Sequence, residues 1–304
     1  MSDSFQLLMI SAMYENGGNT TQRLLDGHPE LFSYPFESQP GTKYVTDHLS
    51  SLYPLKYRWP VFPVHDTPDR DYETIIDEEC KVRIKTPQAS KFKKWEIGLD
   101  DKERKAEFVA LMEGKPRTRA NLMAAFFQSS ANAWKDMNRS GREHVHVGYS
   151  PIIVIDAEKI LGDYDNSHVL QVVRNPWSAY ADTKKRAVPL SIEHYMTGWC
   201  LNQMYALATQ EKYPDRMHIV RFEDIVADPV KTLGAVLAKV GCESSDTLAS
   251  PSWNGNVMTQ VYPWGTIRTP TTQANQATAE ELNATETEQI RQRTQTLLGR
   301  LGYE

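Results

Sequence analysis

Leu7-Leu8-Met9-Ile10-Ser11-Ala12-Met13, then Tyr14-Glu15-Asn16-Gly17-Gly18-Asn19-Thr20-Thr21, then a helix-like run from Gln22 to Gly27 closed by His28-Pro29, is the stretch that decides the fold. An apolar strand feeding a glycine-bearing turn at a helix N-terminus aims unpaired backbone N–H groups and the positive end of the helix dipole at one spot. Such a spot suits a nucleotide phosphate. The Walker A pattern requires a lysine after its second glycine, and Asn19 stands there, so ordinary ATPase or GTPase chemistry is not supported. A glycine pair between a strand and a helix also serves plain turns, so the reading depends on the segments downstream.

The chain has 304 residues, enough for one large domain or a core with a cap. A formal net charge of −5 and an isoelectric point near 5.9 argue against general nucleic-acid binding, so any polyanion site is local. Cys80, Cys200 and Cys242 lack metal-ligand spacing and read as reduced thiols of a cytoplasmic protein. The apolar N-terminal stretch is too short to span a bilayer and reads as a buried strand, so no membrane partner is expected.

Further along, Tyr34-Pro35-Phe36-Glu37-Ser38 leads into an aromatic, proline-rich region from Leu52 to Pro63, read as loop and cap. The pattern turns helical over Lys102–Met112 and Arg117–Trp134, and the aromatics there read mainly as core. His144 and His146 alternate as on a strand. A second strand is expected at His168–Val173, followed by Arg174-Asn175-Pro176 and a helix toward Arg186, with proline well placed just inside the helix start. A helix over Ser191–Glu211, a strand at Met217–Arg221, a helix from Pro229 to Val240, a turn-rich loop over Trp253–Asn275 and a helix over Ala279–Leu301 complete the chain. Strands alternating with helices predict a parallel α/β sheet with its site at the strands' carboxyl ends.

Three segments resemble the sulfotransferase family, whose donor is 3′-phosphoadenosine 5′-phosphosulfate. They are the opening loop with Arg23-Leu24-Leu25-Asp26-Gly27-His28-Pro29-Glu30-Leu31, then Val172-Val173-Arg174-Asn175-Pro176, then Val220-Arg221-Phe222-Glu223-Asp224-Ile225-Val226-Ala227-Asp228-Pro229. The resemblance implies a P-loop NTPase-like three-layer α/β sandwich with a central parallel sheet, one domain over residues 1–304, with 40–140 as a helical and loop cap on the acceptor side. It implies that Asn16, Gly17, Gly18, Asn19, Thr20 and Thr21 bind the donor's 5′ end. Arg174 and the position of Asp182 would bind its 3′-phosphate, and Gly265 and Arg268, with Trp264, would close over the adenosine. Glu37 lies where some relatives place a glutamate base; the same carboxylate also fits a solvated or salt-bridged loop position. The acceptor expected is a hydroxyl or amine of a small molecule or sugar, and no metal is expected.

Arginine suits the Arg174 role because its planar fork grips phosphate in two places. Glu223 and Asp224 read as structural, pairing with Arg221 or accepting N–H bonds near the turn. His28 reads as packing or capping its helix end. Lys85, Lys91, Lys93 and Lys94 form a basic cluster that most simply is a solvated face.

The sequence departs from the family pattern at three donor positions. Glu15 replaces a basic residue, Asp182 replaces a serine, and Tyr149-Ser150-Pro151 replaces Lys-Ser/Thr-Pro. A second reading therefore stays open, in which Glu15 and Asp182 hold a divalent ion with a different phosphorylated donor, or the chain binds a nucleotide without turning it over.

Overall fold

The computed structural model describes residues 5–90, 92–93, 97–258 and 272–303. Its central sheet has the order β2-β3-β1-β4-β5, with β1 Leu7–Ser11, β2 Leu31–Ser33, β3 Val145–Tyr149, β4 His168–Val173 and β5 Met217–Arg221. Every neighbouring pair is parallel. β1 is the middle strand, with Leu8 opposite Val147 on one side and His168 on the other. Every residue of β1, β3 and β4 is buried, as fits strands covered on both faces.

The helices of the first half are α1 (Gly18–Asp26), α2 (Pro68–Thr74), α3 (Glu78–Lys85), α4 (Asp101–Met112), α5 (Arg119–Ala133) and α6 (Ala157–Asp163). Those of the second half are α7 (Pro176–Thr183), α8 (Ile192–Lys212), α9 (Phe222–Ala227), α10 (Pro229–Val240), α11 (Thr272–Ala279) and α12 (Ala284–Leu298). Alternation along β1 separates the layers. Leu7 and Met9 pack with Phe126 and Phe127 of α5, whereas Leu8 and Ile10 pack with Leu24 and Leu25 of α1 and Leu233 and Leu237 of α10. This is the three-layer α/β sandwich with a central parallel sheet that the sequence led us to expect.

Local chemistry explains several boundaries. Asn175 caps α7 by accepting from the N–H groups of Trp177 and Ser178, and Pro176 occupies the first turn. Asn283 and Glu286 form a reciprocal capping box on α12. That cap starts the C-terminal helix at Ala284 rather than at the expected Ala279, and α11 occupies a stretch that largely reads as the end of the loop over Trp253–Asn275. Two other differences are shifts of boundary. α1 begins at Gly18 rather than Gln22, because the Thr21 N–H already reaches the Gly17 carbonyl at 2.9 Å. β3 begins at Val145, so His144 precedes the strand while His146 lies inside it, stacked between Phe5 and Phe32 and pushed down to about 3 by burial. The short strand β2 had no sequence signal of its own.

Residues between β2 and β3 supply α2 to α5 and several short 3-10 turns. Buried ion pairs anchor this region. Arg58 lies 2.7 Å from Asp156, just beyond β3, and 2.7 Å from Asp47. Arg104 lies 2.6 Å from Asp77, with its guanidinium over the Phe126 ring. Among the described residues, no helix is long and apolar enough to cross a membrane. The three cysteines are free thiols.

Candidate active site

Because all five strands run the same way, their carboxyl ends share one edge of the sheet. The turn after β1, Arg174 after β4, Phe222 after β5, Tyr149 ending β3 and Glu37 after β2 all belong to that edge. This is where parallel α/β sheets build their sites.

The turn after β1 is held from below and walled from the sides. Glu15 and Gly17 adopt left-handed backbone, φ 62° and 90°. A Cβ on Gly17 would fall 2.1 Å from the Phe222 ring, and one on Gly18 would fall 2.3 Å from the Tyr149 ring. Asn16 is fully buried and pins the turn to β4: its Nδ2 donates to the Tyr14 carbonyl (2.9 Å) and the Tyr195 hydroxyl (3.0 Å), while its Oδ1 accepts from the Arg174 N–H (2.9 Å). Thr21 donates its hydroxyl to the Gly17 carbonyl at 3.0 Å. The side chains of Asn16 and Thr21 therefore shape the loop. The N–H groups of Gly18, Asn19 and Thr20 precede the first helical bond, and no side chain caps them. With the positive end of the helix dipole they make α1's N-terminus an arrangement that suits an anion.

The Arg174 guanidinium reaches this turn directly. Its Nη1 donates to the Glu15 carbonyl (2.8 Å) and to Asp182 Oδ2 (2.7 Å), its Nε donates to Asn275 Oδ1, and it lies over the Phe222 ring. Arg174 is 7% exposed. Asn275, in turn, donates to Glu223 Oε1 at 2.7 Å. Glu223 also accepts from the Asn175 N–H and the Tyr303 hydroxyl, while Asp224 pairs with Arg221. Both carboxylates are structural, as expected.

Glu15 stands where a basic residue was expected, yet a cation arrives from elsewhere. Arg186, three residues beyond α7, lies 3.6 Å from the Glu15 carboxylate with its guanidinium over the Tyr14 ring. Burial raises the Glu15 carboxyl above its ordinary value and Arg186 opposes that shift. Each of the carboxylates considered as a metal pair, Glu15 and Asp182, thus faces an arginine. Among the described residues, no group of three or more His, Cys, Asp or Glu side chains could hold a metal ion.

Glu37 is placed by α1 and β3 together. Gln22 of α1 donates to the carbonyls of Tyr34 and Phe36, and Arg23 donates to that of Pro35 at 3.0 Å. Ser38 then locks onto Tyr149, its N–H reaching the Tyr149 carbonyl at 2.7 Å. The partly buried Glu37 carboxylate lies beside Gln39, 3.5 Å away, and hydrogen-bonds Tyr57. Burial and the Glu37 charge both push the Tyr57 hydroxyl far above its ordinary value. Tyr14 is pushed up to about 12, first by burial, with Arg186 opposing and Glu37 adding. One carboxylate therefore faces tyrosines from the loop, from β3 and from the region between β2 and β3.

Other sequence candidates fall elsewhere. Both ring nitrogens of His28 are engaged, with the Glu243 carbonyl at 2.9 Å and the Glu30 N–H at 3.2 Å, a capping role. Lys85 and Lys93 are exposed. Gly265, Arg268 and Trp264 lie outside the described residues, as do Lys91 and Lys94. Sequence reasoning missed Arg186, Tyr57 and Asn275. The run Lys184-Lys185-Arg186 is a visible signal for the first; Asn275 has none, since its partner is 101 positions away.

A family model described as "Sulfotransferase family" matches residues 17–246. The chain belongs to the sulfotransferase family, and it is a sulfotransferase enzyme of the P-loop-like fold. It is similar in structure to the sulfotransferase domain from the curacin biosynthetic pathway (TM-score 0.53, 15% identity, 99% of this chain and 98% of that one). It is also similar to the sulfotransferase domain of the Synechococcus PCC 7002 olefin synthase (TM-score 0.51, 18% identity, 95% and 94%). No curated protein sequence matches the chain.

Proposed function

We infer that this enzyme moves a sulfuryl group from 3′-phosphoadenosine 5′-phosphosulfate to a hydroxyl or amine of a small molecule or carbohydrate. The observation that carries this reading is the junction of Arg174 with the glycine turn, backbone to Asn16 and guanidinium to Glu15, which puts a phosphate-gripping fork beside uncapped helix amides. In this reading the free amides of Gly18, Asn19 and Thr20, within the loop Asn16–Thr21, bind the phosphosulfate. Arg174 and its neighbour Asp182 lie at the 3′ end of the ribose.

The acceptor oxygen or nitrogen attacks sulfur in line, the bond from sulfur to the bridging phosphate oxygen breaks, and adenosine 3′,5′-bisphosphate leaves. Glu37 takes the acceptor's proton, since a base must lie within hydrogen-bond reach of the attacking atom. Residues 40–140 form the acceptor-side cap of a single domain. Three free cysteines support a cytoplasmic setting for the enzyme.

A thermal-shift series tests the donor class. Adenosine 3′,5′-bisphosphate at about 100 times its dissociation constant stabilises by roughly 2.7 kcal/mol, a rise on the order of 5 °C for a chain of this size. The expected result is that rise with and without EDTA, and none with GDP. A response only to ATP or GDP with magnesium selects the metal-dependent reading instead.

A further inference from the structure

Three of the five N–H donors of Arg174 are already committed, to Asp182, Asn275 and the Glu15 carbonyl. The Asp182 carboxylate, on the last turn of α7, stands 2.7 Å from Nη1, and its other oxygen lies 3.3 Å from Lys185. Arg174 is almost fully buried and Asp182 is 28% exposed, so water screens this pair less than a surface one. A phosphate arriving at the same guanidinium meets a full negative charge that covalent geometry keeps there, eight residues along the same strand-turn-helix unit.

We propose that Asp182 is a specificity-determining residue that removes the enzyme's dependence on a 3′-phosphate, so that the pocket takes adenosine 5′-phosphosulfate bearing a free 3′-hydroxyl as readily as the doubly phosphorylated donor. This rests on the placement of the donor's ribose at Arg174. Two physical effects act in the same direction. A carboxylate accepts hydrogen bonds from ribose hydroxyls, which is how an acidic side chain selects an unphosphorylated ribose and an arginine a phosphorylated one in dinucleotide sites. The phosphate's gain at Arg174 is offset by separating or crowding the Arg174–Asp182 pair, because two like charges within about 4 Å of each other repel. Asn275 completes the arrangement. It holds the Arg174 Nε and is itself held by Glu223, which keeps the guanidinium turned toward Asp182.

The test compares dissociation constants of adenosine 3′,5′-bisphosphate and adenosine 5′-monophosphate by calorimetry for the wild type, Asp182→Ser and Asp182→Asn. The two ligands differ only in the 3′-phosphate, so their ratio does not move with general damage to the fold. The wild type is expected to bind both within about threefold of each other. Both variants are expected to bind the bisphosphate about ten- to hundredfold tighter than the monophosphate, the range of one charge-assisted contact, with bisphosphate affinity rising and monophosphate affinity unchanged or weakened by loss of the carboxylate's bond to the ribose hydroxyl. A wild type that already favours the bisphosphate by more than about tenfold overturns the proposal, as does a ratio that neither variant changes. Failure of the wild type to bind either nucleotide overturns the donor assignment itself, and this inference with it.

Discussion

Replacing Glu37 by glutamine is expected to lower kcat by about 10²- to 10⁴-fold, the usual contribution of a positioned general base, while the dissociation constant of adenosine 3′,5′-bisphosphate stays within about twofold. Glutamine keeps the length and the hydrogen-bonding shape of the side chain and removes only its capacity to take a proton. The contacts that place this position are unaffected, because Gln22, Arg23 and Ser38 act on the backbone of residues 34–36 and on Tyr149, not on the Glu37 carboxylate. The split between turnover and donor affinity is the informative readout. Turnover equal to that of the wild type would remove Glu37 as the base and leave it as the hydrogen-bond partner of Tyr57.

Gly17→Ala is the substitution expected to damage the molecule most. Its backbone lies at φ 90°, where an L side chain is strained, and the new Cβ would fall 2.1 Å from the Phe222 ring. Strain and overpacking each cost roughly 1–3 kcal/mol, so a combined loss of about 2–5 kcal/mol is expected, a fall in Tm on the order of 5–10 °C by circular dichroism. Relief by moving Phe222 is closed off, because that ring also carries the Arg174 guanidinium, 5.5 Å from its centroid. The stabilisation by adenosine 3′,5′-bisphosphate should vanish with it. Gly162→Ala is the control. Gly162 lies in α6 with nothing within 4 Å of an added Cβ, so alanine there should leave Tm unchanged or raise it, the gain being up to about 1 kcal/mol of helix propensity. Equal effects at the two positions would contradict the account of the loop walls.

Both results bear on one connected unit. α1 donates amides at its N-terminus, and Gln22 and Arg23 on the same helix hold the segment that carries Glu37. In the proposed reading, donor grip and proton acceptance are thus positioned by a single nine-residue helix. Phe222 and Tyr149 close its two glycines from β5 and β3, which ties the loop to both halves of the sheet.

Legibility in the sequence followed the range of the interactions. The strands β1, β4 and β5, the turn after β1 and the cap of α7 were all readable, since each depends on residues within a few positions: continuous apolar runs, a glycine pair, Asn175-Pro176. β2 escaped because three residues carry no period. The start of α12 at Ala284 rather than Ala279 escaped because the Asn283–Glu286 capping box sets it, and α11 escaped because its polar residues read as loop. At the site, resemblance to family positions points to Arg174 and Glu37, whereas nothing local in the sequence pairs Arg186 with Glu15, which lies on a distant element.

The amino-acid order alone determined a parallel α/β chain with an anion loop after its first strand, because strand burial and helix-end polarity are properties of short segments. Only the tertiary structure decided which charges face one another there. Glu15 meets Arg186 and Arg174 meets Asp182 and Asn275, the last pairing across 101 positions, because side-chain electrostatics act through space and the parallel crossovers bring the strand ends onto one edge.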